Sequence, residues 1–159
     1  MVFTRKRTRL CVLRAQEALR SLGKQDLPIP IDALAASLGY QVVLLRSVED
    51  ACSAIVSTRE KLIGINGNHH RHRQRFSLGH EIAHLLLKHP PDARCTREEI
   101  ALFNAEADEC AAELLMPEAL VDRWFRKTQN IRELARVFDV SEEAMAVRLK
   151  GRLHNRGDI

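Results

Sequence analysis

The 159-residue sequence contains no long hydrophobic run, and its cysteines do not form a metal-binding pattern. No apolar stretch approaches the ~18 residues that a membrane-spanning helix needs. The basic start of the chain does not continue as a signal peptide, because Arg14 interrupts the apolar residues behind it. The four cysteines are far apart, which predicts free thiols in a reducing compartment. We therefore expect a cytoplasmic protein without a membrane segment. The cysteines are Cys11, Cys52, Cys95 and Cys110.

The sequence also lacks internal repeats and low-complexity tracts, and its composition is that of a soluble globular protein. Hydrophobic residues make up 45% and charged residues 29% of a length that suits one domain. The 25 basic and 21 acidic residues give a net charge of only +4. Two basic clusters occur, at residues 5–9 and 69–75. Such clusters more often form a solvated surface than a nucleic-acid interface, which needs a concentrated basic patch.

Apolar periodicity predicts strands in the first half of the chain and mainly helices after them, which is an α+β arrangement. The predicted helices cover residues 7–22, 33–38, 73–89, 98–115, a segment after Pro117, 131–138 and 141–149. The predicted strands cover residues 41–45, 53–57 and 61–65, the last two as a hairpin. Asp32 is predicted to cap the second helix. Residues 1–150 are expected to form a single domain, with residues 131–150 as a helical segment packed on it. Residues 151–159 are expected to be a polar tail that frays.

The sequence His80-Glu81-Ile82-Ala83-His84 is an H-E-x-x-H motif inside the third predicted helix. Residues four apart lie on one face of a helix, so His80 and His84 can bind one Zn²⁺ through neutral imidazole nitrogens. Glu81 lies one step further round and would act as general base on a water molecule. The alternative is a pair of structural histidines, but burying these polar groups without partners is unfavourable.

Two longer segments resemble the ImmA/IrrE family of bacterial and phage zinc metallopeptidases. They are RQRFSLGHEIAH at residues 73–84 and EADECAAELLMP at residues 106–117. The resemblance implies a small zincin-like fold, in which a short antiparallel or mixed sheet packs on the H-E-x-x-H helix and on a second ligand helix. It also implies one Zn²⁺ per chain, held by His80 and His84 with Glu81 as the catalytic residue. The implied partner is a helix-turn-helix repressor encoded nearby, whose cleavage derepresses mobile-element or stress genes.

The third zinc ligand departs from the family pattern. Asn104 stands where the family has a glutamate, and Asp108 occupies the place of the residue that supports the site. Glu106 points about 200° round an ideal helix from Asn104, so it would bind only if the helix were rotated. Asp108 could also bind the metal. His89 is predicted to be a surface or loop residue, since it lies off the metal face. Weak zinc binding, a rearranged ligand set and an inactive protease fold therefore remain open.

Other candidate residues have less specific patterns. Ile63, Gly64 and Ile65 could belong to an edge strand that pairs with a peptide substrate, or to ordinary sheet core. His69, His70 and His72 are loop candidates for stabilising an oxyanion. The C-terminal helices have a helix-turn-helix rhythm, but the second of them starts with acidic residues, which disfavours phosphate contact.

Three functions follow from these patterns. The first is a zinc endopeptidase acting on a protein regulator. The second is a non-catalytic module that binds such a regulator without cutting it, which the Asn104 departure allows. The third is a DNA-binding regulator, which a steep salt dependence of DNA affinity would reveal; DNA binding is the least expected of the three.

Overall fold

A computed structural model of the protein describes residues 6–24 and 26–155. The described part contains seven α-helices and three strands, in the α+β arrangement predicted from the sequence. The helices are α1 (Thr8–Ser21), α2 (Ile31–Ser37), α3 (Arg71–Leu87), α4 (Arg97–Leu115), α5 (Glu118–Phe125), α6 (Ile131–Phe138) and α7 (Glu142–Asn155), and a 3₁₀ turn covers Asp92–Arg94. The strands are β1 (Gln41–Leu45), β2 (Ala54–Ser57) and β3 (Leu62–Asn66). None of the described helices has the length and apolar character of a bilayer-crossing segment.

The three strands form one mixed sheet in the order β1-β3-β2. β1 pairs with β3 in parallel, and β2 pairs with β3 as the predicted antiparallel hairpin. The prediction that Ile63, Gly64 and Ile65 lie on an edge strand is wrong, because β3 has a partner on both sides. The edges of the sheet are β1 and β2. Ile63 and Ile65 are buried in the core, as their apolar character requires.

Helix α3 carries the H-E-x-x-H motif, and its ends differ from those predicted. It begins at Arg71 rather than 73, because the His70 side chain accepts a hydrogen bond from the backbone N–H of His72 and caps the helix. It ends at Leu87, since Lys88 adopts a left-handed conformation with φ of 55°. His89 therefore lies outside the helix.

Helix α2 also begins differently from the prediction. It starts at Ile31, directly after Pro30, so Asp32 lies in the first helical turn and not at the N-cap. Pro30 fixes the backbone of the connector before the helix. An acidic residue in the first turn still interacts favourably with the positive end of the helix dipole.

Helices α3 and α4 pack closely against each other, and this contact brings the two motif-bearing helices together. A Cβ atom on Gly79 would lie 3.4 Å from the Cβ of Ala111, which is ordinary van der Waals contact and shows how closely the two helices approach here. Helix α4 begins with a capping box between Thr96 and Glu99. Helix α1 packs on α4 and buries Cys11, Ala15, Ala18 and Leu19.

The C-terminal helices pack onto this core. Leu134, Phe138 and Met145 are fully buried, and Arg148 donates a hydrogen bond to the carbonyl oxygen of Met116 at 3.0 Å. Helix α7 continues through Gly151 to Asn155, so the predicted polar tail is helical over its first five residues. A single glycine costs only about 1 kcal/mol in a helix and need not end it. The rest of that tail, 156–159, lies outside the described residues.

Candidate metal centre

The two motif histidines face each other on α3. The Nε2 atoms of His80 and His84 are 3.0 Å apart. Two nitrogens bound at 2.0–2.1 Å to one tetrahedral zinc ion would be separated by about 3.3 Å. Helical spacing thus directs both nitrogens toward one point, at a separation close to that of a shared metal ion.

The other ring nitrogen of each histidine is engaged in a hydrogen bond. The Nδ1 of His80 lies 2.8 Å from Oδ1 of Asp108, and the Nδ1 of His84 lies 2.8 Å from the Nδ1 of His89. The Nε2 of His89 in turn lies 2.9 Å from Oε2 of Glu106. The three imidazoles therefore form one chain with a carboxylate at each end.

This chain of contacts determines where the protons lie. Glu106 is ionised and accepts, so His89 must carry a proton on Nε2 and, when neutral, accept at Nδ1. His84 then donates from Nδ1 and presents a lone pair at Nε2. His80 donates from Nδ1 to Asp108, and its Nε2 faces the Nε2 of His84. A metal ion bound by both Nε2 atoms would need each of them to be deprotonated.

The pKa values of these groups agree with the assignment. Burial lowers the pKa of His80, but the hydrogen bond to Asp108 outweighs it and the pKa is raised. Burial, together with the charge of His80, lowers the pKa of His84 to about 4. Burial also lowers the pKa of His89. Burial raises the pKa of Glu106, but hydrogen bonds from Arg7 and His89 bring it down to about 2.

Asn104 lies beside the two motif histidines, one helical turn before Asp108. Its side chain contributes a small upward effect to the pKa of His80 and to that of His84, against the larger effect of burial on each ring. Within the described residues, no three His, Cys, Asp or Glu side chains are arranged to hold a metal ion. The two imidazole nitrogens of His80 and His84 are thus the converging donors, and the amide of Asn104 is the candidate for a third.

Glu81 follows His80 in the motif and lies in an environment that disfavours its charged form. Its side chain is half-buried, and the pKa of Glu81 is raised. Burial is the largest cause, the charge of His80 acts in the opposite direction, and the charge of Asp92 adds to the increase. A raised pKa suits a group that must accept and later release a proton near neutral pH.

Glu106 and Asp108 have different positions in the structure. The Glu106 side chain is fully buried and its carboxylate binds Arg7 and His89, so it does not reach the two Nε2 atoms. His89 lies between the Glu106 carboxylate and His84, so Glu106 is not a metal ligand in this orientation of α4. Asp108 contacts the outer nitrogen of His80, where it holds the ring in one orientation.

His89 is the site residue that sequence reasoning missed. His89 is a loop residue, which is one of the two predicted alternatives, but the predicted surface position is wrong, because its side chain is only 2% exposed and touches both His84 and Glu106. On a helix that continued to residue 89 the imidazole would lie off the metal face, whereas the left-handed Lys88 ends α3 and redirects the chain. The stacked ring of Phe103, with centroids 4.5 Å apart, also holds His89 in place.

The three predicted loop histidines lie at the start of α3, and His72 belongs to the helix itself. His69 is buried with Nε2 at 2.8 Å from the carbonyl oxygen of Asp50, and His70 caps the helix. His72 lies 3.3 Å from a carboxylate oxygen of Asp139. Each of them therefore has a local structural contact.

Residues 35–150 match the peptidase M78 family, described as an IrrE N-terminal-like domain. The chain belongs to this family. The match confirms the resemblance to ImmA/IrrE proteins that residues 73–84 and 106–117 indicated. M78 membership indicates a metallopeptidase-like domain with a small zincin-like fold. Helix α1 precedes the M78-matched segment.

A Mycobacterium tuberculosis transcriptional regulator is similar in structure, with a TM-score of 0.70 at 18% sequence identity. The similarity covers 87% of this chain but only 46% of that regulator, so the chain spans less than half of its length. At this identity the likeness shows a shared fold. None of the curated proteins shows significant sequence similarity to the chain.

Proposed function

We propose that this M78 protein is a zinc-dependent endopeptidase that cleaves a helix-turn-helix repressor in the cytoplasm. The convergence of the His80 and His84 Nε2 atoms, 3.0 Å apart with both outer nitrogens already bonded, carries the proposal. Membership of a peptidase family and the shared fold with a transcriptional regulator support it. We treat residues 1–150 as the single domain that performs this function.

The chain's own residues divide the work of hydrolysis. His80, His84 and Asn104 would hold one zinc ion, and Asp108 would keep His80 oriented. When bound, zinc would act as a Lewis acid on the scissile carbonyl. Glu81 would take the proton of the attacking water and return it to the leaving amine.

The neutral amide of Asn104 would bind a metal ion more weakly than a carboxylate would. A carboxylate at this position would add charge attraction to a divalent cation, whereas an amide contributes only its dipole. We therefore expect the natural chain to bind zinc, but more weakly than a chain with a third charged ligand. This weak binding would make the peptidase dependent on the zinc supply.

The first test is zinc content and zinc affinity of the natural chain and of Asn104→Glu, purified without added zinc. The variant should bind at least about tenfold more tightly because of the added charge. Ala105→Glu is the matched control, since it adds the same charge at the neighbouring exposed position of α4. Equal zinc binding in all three would mean that another group completes the site. No zinc in any of them would overturn the zinc-peptidase proposal.

A second candidate function is a binding module that holds the repressor without cutting it. The absence of a third His, Cys, Asp or Glu ligand among the described residues favours it. Zinc binding confined to Asn104→Glu, with repressor capture but no cleavage by the natural chain, would establish this alternative.

DNA binding has less support, because basic residues of both clusters are engaged within the protein. Lys6 pairs with Glu109, Arg7 with Glu106, and Arg71 with Asp139. A measured DNA affinity that falls steeply as the salt concentration rises would support DNA binding instead.

A further inference from the structure

We propose that Arg7, Glu106 and His89 form a buried relay that holds His84 in the tautomer able to bind a metal. The relay makes Arg7, which precedes α1 and lies outside the M78-matched segment, part of the metal centre. The inference concerns the same site as the proposed function and rests on it for the identity of the ion.

Glu106 is the centre of the relay. Its Oε1 accepts from the backbone N–H of Arg7 at 2.7 Å and from Nε of Arg7 at 3.0 Å. Its Oε2 accepts from Nη2 of Arg7 at 2.7 Å and from Nε2 of His89 at 2.9 Å. A carboxylate removed from water in this way needs such donors to remain charged. Arg7 thus keeps Glu106 ionised and fixed in position.

The ionised carboxylate determines the tautomer of the next ring. Because Glu106 can only accept, the proton of neutral His89 is on Nε2, and its Nδ1 is left as an acceptor. The Nδ1 of His84, at 2.8 Å, must then be the donor. The remaining Nε2 of His84 has a lone pair directed at the point it shares with His80.

Each part of the relay is held by packing as well as by hydrogen bonds. The Glu106 side chain is fully buried and that of His89 nearly so, and the ring of Phe103 stacks on His89. Arg7 precedes α1, which is anchored on α4 by its buried face. The contacts between Arg7 and Glu106 join positions 99 residues apart in sequence. Loss of the Arg7 contact would therefore affect His84 through the two side chains between them, Glu106 and His89.

The test compares Zn²⁺ affinity of the full chain and its variants, measured by competition with a chromophoric chelator. His89→Leu removes the acceptor for His84, and Arg7→Met removes the cation that holds Glu106. Both should weaken zinc binding by about 10–100-fold, the usual effect of removing a residue that orients a metal ligand. His89→Asn offers an amide oxygen near the position of the lost Nδ1 and should recover part of that loss. Arg14→Gln, an exposed change on α1, is the matched control and should bind zinc like the natural chain.

A second measurement follows the ring nitrogens of metal-free protein by ¹⁵N nuclear magnetic resonance. His84 should carry its proton on Nδ1 in the natural chain and shift toward Nε2 in His89→Leu. A merely structural role for His89 would leave this tautomer unchanged. Arg7→Met keeps the test decisive if His89→Leu fails to fold, since Arg7 is partly exposed.

The outcomes separate the relay from the proposed function. If folded Arg7→Met and His89→Leu bind zinc as tightly as Arg14→Gln, or if the His84 tautomer does not change, the relay is overturned. If the natural chain binds no zinc but its His84 tautomer still depends on His89, the relay stands and the zinc-peptidase proposal fails.

Discussion

At the scale of single residues, the candidate site depends on which nitrogen of each histidine carries a proton. Asp108 fixes His80 from one side, and His89 fixes His84 from the other, so that both Nε2 atoms face one point. A metal centre needs this arrangement in addition to the bare H-E-x-x-H spacing. The spacing was visible in the sequence, whereas the partners of the outer nitrogens were only partly so.

Glu81→Gln tests the division of labour between metal binding and proton transfer. The amide keeps the size of the side chain but cannot accept a proton. We expect cleavage of the repressor to slow by at least about 100-fold, the lower end for loss of a general base, while zinc affinity stays nearly unchanged. Single-turnover cleavage and the chelator competition measure the two effects separately. Unchanged cleavage would remove Glu81 from the catalytic role.

At the scale of secondary-structure elements, the sequence predicted the bounds of helices and strands better than it predicted contacts between residues distant in sequence. β1 and α6 match their predicted bounds because an apolar run and an N-cap are local signals. The central place of β3 was missed, since parallel pairing with β1 depends on contacts distant in sequence. The burial of His89 was missed because one left-handed residue, Lys88, changes the chain direction. The Arg7 contact to Glu106 has no sequence pattern of its own.

The junction between α6 and α7 is tied to the start of α3 by Asp139. Arg71 donates to its carboxylate and Arg75 to its backbone carbonyl oxygen, and the residue itself is left-handed with φ of 52°. Burial raises the pKa of Asp139, but the hydrogen bond from Arg71 and the charge of Arg75 lower it overall. The charged carboxylate therefore stabilises the folded state.

Asp139→Asn removes this charge and keeps the backbone, because asparagine tolerates the left-handed conformation. We expect a loss of about 1–2 kcal/mol in the free energy of unfolding at pH 7, as for hydrogen bonds to charged groups. A depressed pKa contributes stability that is present above the unfolded value of 3.8 and lost as the pH falls through the folded value. The difference between the two proteins in urea unfolding should thus shrink below about pH 4. Asp26→Asn, on the exposed connector before α2, is the control. An equal loss of unfolding free energy in that variant would contradict a specific stabilising role of the Asp139 carboxylate.

At the scale of the whole molecule, Glu113 connects four elements of the fold. Its carboxylate binds Gln16 of α1, Arg148 of α7 and the backbone N–H of Glu118 at the start of α5, while Glu113 itself belongs to α4. The residue lies within the segment 106–117 that indicated the family. Its contacts show that this part of the motif holds helices together, apart from the metal centre.

Arg148→Met tests whether this ion pair anchors the C-terminal helix. The change leaves Glu113, only 2% exposed, without its cation, and we expect a loss of about 3 kcal/mol in the free energy of unfolding. Burial already raises the pKa of Glu113, and removal of Arg148, whose charge lowers it, should raise it further. Most of the cost should therefore come from the uncompensated carboxylate rather than from the lost pair.

The double variant Arg148→Met/Glu113→Gln distinguishes these two sources of instability. A neutral amide can still bind Gln16 and the backbone of Glu118, so the double variant should be more stable than Arg148→Met alone. Urea unfolding of the two variants gives the comparison, and amide hydrogen exchange in α7 shows whether that helix opens separately. If the double variant is the less stable of the two, the carboxylate is stabilising by itself, and Arg148 anchors α7 through its bond to Met116 instead.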